Sequence, residues 1–228
     1  RAIVTISPNN PTGAVYGEAD LRAVNALCAE RGLYHVHDEV YEYFTYDGVA
    51  HVSPGRFPGA AAHTISLFSL SKAYGFAGWR IGYMVIPESL FEAVNKIQDT
   101  NLICPPIVSQ RAALAAIGTG RGYTDVHVAA LANRRHRVMD ALSSLGDLVD
   151  VPPAAGAFYF VMRVRTPLSS IQVVERLIRE HRVALIPGTA FGLDGEQGAT
   201  LRLSYGAVDG EVLDEALARL VAGLRALA

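Results

Sequence analysis

Lys72 is one of only two lysines in the chain, the other being Lys96; arginine supplies the remaining basic charge. It stands in SLSKAYGFAGWR, from Ser69 to Arg80, between apolar flanks at Leu70, Ala73, Tyr74 and Phe76. Two hydroxyls, an amine and a guanidinium in one turn suit a ligand that carries both a phosphate and a carbonyl. The arginine fork matches phosphate oxygens. An amine desolvated beside cationic groups loses its proton more easily and becomes a nucleophile toward carbonyl carbon.

Three further stretches place polar groups where strands should end. HDEVY (His37–Tyr41) puts Asp38 at the end of an apolar run, and a carboxylate there is costly unless it is paired. It could be a helix cap. A metal site built on His35, His37, Asp38 and Glu39 is the competing idea. Strand alternation argues against it, because it sends His35, His37 and Glu39 to one face and Asp38 to the other. NNPTG (Asn9–Gly13) follows a strand and can be read as a bare turn or as a means of projecting the Asn10 amide toward a ligand. TLRLSYG (Thr200–Gly206) buries Arg202 within an apolar strand, either as an edge-strand ion pair or as a two-pronged clamp on a carboxylate.

The elements that must position these groups follow from periodicity. Ile3–Ile6, residues 33–39, 64–69 and 81–86 read as strands, with an amphipathic helix over 18–31 closed by Gly32. Strand, helix, strand with short links predicts an α/β layer and a mainly parallel sheet, with one reversal possible near residue 81. Helices are expected over 88–99, 106–118 and 123–145. Strands follow at 157–164, 183–186 and 200–204, with helices at 168–181 and 209–227. This divides the chain into an α/β part, 1–119, and a smaller α+β part, 120–228.

Bulk properties narrow the function classes. The 228 residues are 50% hydrophobic with a net charge of −2, enough for a sizeable core and without a basic stripe for nucleic acid. No apolar run reaches the ~18–20 residues that span a bilayer. Cys28 and Cys104 are too few for a disulfide framework and fit reduced, buried thiols in a cytoplasmic protein. The chain opens at Arg1 directly into a core-like strand, which suggests a portion of a longer polypeptide.

Taken together, the order and spacing of these motifs resemble the class I/II, fold-type I aminotransferases that use pyridoxal 5′-phosphate, over their C-terminal three-fifths. The likeness rests on Asn10 in NPTG, Asp38 and Tyr41 in DEVY, Ser69, Lys72 and Arg80 in SLSKAYGFAGWR, and Arg202 in LRLS. PGTAFG (187–192) is similar to a loop near the family's active site. The resemblance implies a large-domain mixed, mainly parallel sheet and a smaller C-terminal α+β domain. It implies that Lys72 carries the cofactor as an aldimine and then shuttles the substrate proton. Asp38 would pair with the ring nitrogen, Asn10 and Tyr41 would bond the ring 3-oxygen, and Ser69 and Arg80 would hold the phosphate. Arg202, with Asn10, would bind the substrate carboxylate. No metal is implied.

Transamination between an amino acid and a 2-oxo acid is the expected reaction. A lyase, cyclase or synthase working through the same Cα carbanion is the alternative, and some relatives are effector-binding parts of DNA-binding regulators. The resemblance also implies a homodimer with shared active sites. Aspartate-type members carry an Arg shortly before a Pro pair; here QDTNLIC precedes Pro105–Pro106 and holds Asp99 instead, which disfavours a dicarboxylate substrate.

Overall fold

A computed structural model describes residues 1–193, 198–208 and 210–227. The chain packs as two compact units. One is Arg1–Asn9 with Val15–Val128; the other is Asn10–Ala14 with Ala129–Ala228.

The first unit is built on a four-stranded sheet in the order β1-β2-β3-β4: β1 (Ala2–Ile6), β2 (Tyr34–Asp38), β3 (Thr64–Ser69) and β4 (Gly82–Val85). The first three strands are parallel, and β4 returns antiparallel to β3, the reversal expected near residue 81. α1 (Glu18–Arg31) links β1 to β2 and buries Leu21, Asn25 and Cys28, a spacing that places all three on one face. Glu18 and Asp20 lie in its first turn and Arg31 in its last, matching the helix dipole. Gly32 ends it in the left-handed conformation at φ 62°, where a side chain would be strained. β3 runs into a single helical turn, α2 (Leu70–Ala73), and β4 is followed by α3 (Phe91–Asn101) and α4 (Ile107–Gly118). A 3-10 turn at Glu88–Leu90 takes the place of the first turn expected for α3. α5 (Arg121–Ser143) begins in this unit and ends in the other.

The second unit holds an antiparallel sheet in the order β5-β6-β8-β7. Its strands are β5 (Val149–Asp150), β6 (Tyr159–Val164), β7 (Ile186–Pro187) and β8 (Ala199–Ser204). α6 (Ser170–His181) and α7 (Gly210–Ala226) complete it, and position 209, where a helix start is expected, lies outside the described residues. Phe160, Met162, Leu201 and Leu203 of the sheet and Val173, Leu177, Leu213, Leu220 and Leu224 of the helices are buried. The strand expected over 183–186 is displaced and reduced to two residues: the Val183 N–H is spent on Leu177 O in the cap that closes α6. Cys28 is buried, but Cys104 is exposed rather than buried, in the short link between α3 and α4; both thiols are free.

Candidate functional site

Asp38 closes β2 opposite Leu67 of β3, and Ser69 closes β3, so both stand at the carboxyl edge of the parallel strands. Open α/β sheets receive ligands at this edge. Asp38 is half-buried, and its Oδ1 accepts the Val40 N–H at 3.0 Å, a capping contact that leaves the rest of the carboxylate available. The chain then turns tightly. Glu42 N–H donates to Glu39 O and Phe44 N–H to Tyr41 O, both at 2.9 Å, which sets Tyr41 into the core edge-on to Phe44.

Ser69 caps α2, its Oγ accepting the Ser71 N–H at 3.2 Å. Leu70, Ala73 and Tyr74 are buried with Ala113, so the apolar flanks of Lys72 anchor the turn and the lysine itself is exposed. In this chain the amine is therefore not desolvated by its own flanks. The connection to β4 is closed by the Leu70 N–H to Ile81 O hydrogen bond at 3.4 Å and by the pairing of Ser69 with Gly82. Arg80 lies two positions before Gly82 in the left-handed region, φ 50°. Such backbone conformations in non-glycine residues concentrate at functional sites. Its Nη1 donates to Ala77 O at 2.7 Å. Asp38, Ser69, Lys72 and Arg80 thus come from adjacent strand ends and the turn that joins two of them.

In the second unit, Arg202 sits in β8, in register with Val161 of β6 and Ile186 of β7. Its Nη1 donates to Asn10 Oδ1 at 2.8 Å. The guanidinium carbon lies 4.5 Å from the Tyr159 ring centre and 4.8 Å from that of Phe191. Its Nε is buried with no hydrogen-bond partner. This is a charged fork held by two aromatic faces with one donor unspent, an arrangement ready for an anion. The turn bearing Asn10 is fixed by close approach: a Cβ on Gly13 would lie 2.7 Å from Tyr159 O. Tyr159 and Phe191 escape sequence reasoning as ring partners of Arg202, although PGTAFG already marked the loop that supplies Phe191.

The expected face alternation holds on β2. His35, His37 and Glu39 are almost fully buried, and they bond to protein groups: Thr5 and Asn25 for the histidines, His51 and Ser53 for Glu39. Among the described residues no three His, Cys, Asp or Glu side chains are placed to hold a metal ion.

Residues 1–220 match the family described as aminotransferase class I and II. The chain is 38% identical over 223 residues to aromatic-amino-acid aminotransferase 2 of Thermococcus litoralis, covering 96% of this chain and 56% of that protein. It is 38% identical over 224 residues to the aspartate/prephenate aminotransferase of Thermus thermophilus, covering 96% and 55%. The aromatic aminotransferase structure from Pyrococcus horikoshii superposes with a TM-score of 0.91 at 34% identity, over 100% of this chain and 61% of that one. The chain therefore belongs to the class I and II aminotransferase family and has the fold-type I architecture. The family depends on pyridoxal 5′-phosphate. The chain spans little more than half the length of the curated relatives it matches.

The residues present fit that cofactor. The sheet edge offers a carboxylate for a ring nitrogen, a hydroxyl and a guanidinium for a phosphate, and an amine for an aldehyde, with Arg80 held at φ 50°, a backbone conformation of the kind that clusters at ligand sites.

Proposed function

We propose that the protein is an aminotransferase that moves an amino group between an amino acid and a 2-oxo acid. The observation that carries this reading is the gathering of Asp38, Ser69, Lys72 and Arg80 at one carboxyl edge of the sheet. Ser69 and Arg80 would hold the phosphate of pyridoxal 5′-phosphate, and Tyr41 and Asn10 would bond its ring 3-oxygen. Asn10 spends Oδ1 on Arg202, which leaves Nδ2 as the donor. The Asp38 carboxylate keeps the ring nitrogen protonated. Bound there, the cofactor supplies an electron sink for the pair left when the Cα–H bond breaks. Lys72 Nζ would anchor the cofactor in the resting enzyme and would later carry the proton taken from Cα. Arg202 receives the α-carboxylate and so orients that C–H bond.

The same resemblance supports a homodimer with shared active sites, and the free thiols Cys28 and Cys104 support a reducing compartment, the cytoplasm. No described helix is long and apolar enough to cross a membrane. The relatives named above are called aspartate, prephenate or aromatic aminotransferases; the absence of an Arg before Pro105–Pro106 supports the aromatic side of that range. The test is an absorbance spectrum of the full-length protein with pyridoxal 5′-phosphate. A visible or near-ultraviolet band that borohydride reduces onto Lys72 is expected; full turnover by Lys72→Ala sinks the catalytic assignment.

A further inference from the structure

Behind Asp38, on the opposite face of β2, lies a polar layer that this function does not use. His63 Nε2 lies 3.1 Å from Asn25 Oδ1, and Asn25 Nδ2 lies 2.8 Å from Thr64 Oγ1 and 3.1 Å from His35 Nδ1. His35 Nε2 meets Thr5 Oγ1 at 2.8 Å, and Thr5 Oγ1 meets His37 Nδ1 at 2.6 Å. The Asn25 amide sets the tautomer at one end of this chain, and the Thr5 hydroxyl can donate to or accept from His37 at the other. Asn25 donates to His35 Nδ1, so a neutral His35 carries its proton on Nε2 and donates to Thr5, whose Oγ1 meets His37 Nδ1. Burial pushes both histidine pKa values down, which favours their neutral forms.

The hydrogen bonds of this layer stop at His37, whose Nε2 is buried without a partner; the His51 ring stacks on His37, 6.3 Å between ring centres, and leads on to Glu39. Its side chain is 0% exposed; Oε2 accepts from His51 Nε2 and Oε1 from Ser53 Oγ, each at 2.8 Å. Burial alone would raise the Glu39 pKa, but the bonds from His51 and Ser53, with Ser66 and His37 nearby, hold it below the ordinary value. The Ser66 hydroxyl lies close without completing a hydrogen bond. Glu39 also closes the strand end with its backbone: its N–H donates to Leu67 O and its C=O accepts from Glu42, both at 2.9 Å. It is therefore the residue at which the sheet, the turn carrying Tyr41, and the returning segment at 51–53 are joined.

Apolar packing of the same volume would be as stable as a buried charge, or more so, but it is not directional. A buried carboxylate with both oxygens engaged fixes direction. We propose that Glu39, held by His51 and Ser53, is the positioning residue for Asp38 and Tyr41. This rests on the cofactor roles assigned above to those two residues. Asp38 immediately precedes Glu39 and Tyr41 lies two positions after it, so a rotation at Glu39 moves both.

The experiment uses the full-length enzyme, stripped of cofactor and titrated with pyridoxal 5′-phosphate, as wild type and as Glu39→Ala, Glu39→Gln and Ser53→Ala. The readouts are the cofactor Kd, the pH midpoint of the cofactor absorbance band, and Tm. Glu39→Ala should weaken the Kd by about tenfold or more and shift the midpoint, at a temperature where its circular dichroism matches wild type. Glu39→Gln, which can still accept from Ser53 and donate to His51, should recover to within about threefold, and Ser53→Ala should fall between wild type and Glu39→Ala. A lowered Tm with Kd and midpoint unchanged would mean a brace without a positioning role and overturns the proposal. So does Glu39→Gln behaving like Glu39→Ala. If Glu39→Ala does not fold, an unaltered Kd and midpoint in Ser53→Ala overturns it. A wild-type enzyme that shows no band overturns the functional reading and this proposal with it; a band that folded Glu39→Ala leaves unaltered overturns this proposal alone.

Discussion

Arg202 shows how far side-chain chemistry can be pressed. Its two aromatic neighbours and its bond to Asn10 fix the plane of the guanidinium, so its value lies in shape as much as in charge. Arg202→Lys keeps the charge and loses the fork. It should lower kcat/KM by about 10–100-fold, mostly through KM, since a bidentate bond is exchanged for a point charge. Steady-state kinetics that left KM unchanged would count against the carboxylate assignment. His37 makes a prediction about stability. Its pKa falls from 6.5 to about 4, chiefly through burial. Above pH 6.5 both folded and unfolded forms are neutral there. Below it the unfolded chain takes up a proton that the folded chain refuses, so stability drops until the folded residue protonates near pH 4. The loss is about 3 kcal/mol over that window. Glu39, with its lowered pKa, adds a loss of the same sign at the acid end. Urea denaturation of wild type and His37→Gln across pH 4 to 7 checks this; equal slopes for the two would refute it.

At the scale of elements, the strand ends were readable because a polar residue closes each short strand-like stretch, as Asp38 does after Val36 and His37 and Ser69 does after Leu67 and Phe68. What was not readable is how closely backbones approach. Gly82 reads as one more strand position in IGYMVI, yet a Cβ there would lie 2.5 Å from Phe68 O. The pairing of Ser69 with Gly82, which brings Arg80 back beside the strand end, therefore requires glycine. Gly82→Ala should force β4 off β3, cost about 1–3 kcal/mol and weaken cofactor binding together with stability. Gly78→Ala, whose added methyl would meet nothing within 4 Å, is the control and should leave Tm in place. If both variants melt alike, close packing is not what holds Arg80. α6 was legible for a different reason. Ser169 and Gln172 form a capping box, so its start is written in four consecutive residues; β5 and β7, two residues each, have no period to read.

For the whole molecule, what the sequence offers for a division is the change near residue 120 from alternating strands and helices to a helical stretch, while the chain packs as Arg1–Asn9 with Val15–Val128 and Asn10–Ala14 with Ala129–Ala228. The membership of Asn10–Ala14 in the second unit was not legible, because it depends on Gly13 O accepting the Gly156 N–H at 2.8 Å, far along the chain. The reaction also belongs to this scale, since the residues proposed to hold the cofactor would serve any Cα-carbanion chemistry, and the fate of the amino group separates transamination from elimination. In transamination the amino group stays with the enzyme when the first product leaves. A full-length enzyme given an amino donor and no acceptor should release one 2-oxo acid per active site, lose its resting absorbance band, and stop. Adding a 2-oxo acid should restore the band and turn the new acid into an amino acid. A lyase has no such stopping point: it would keep releasing product, with ammonia if it eliminates, and need no acceptor. Continued turnover on the donor alone, with ammonia in solution, would therefore exclude the aminotransferase reading even if Lys72, Asp38 and Arg202 all proved essential.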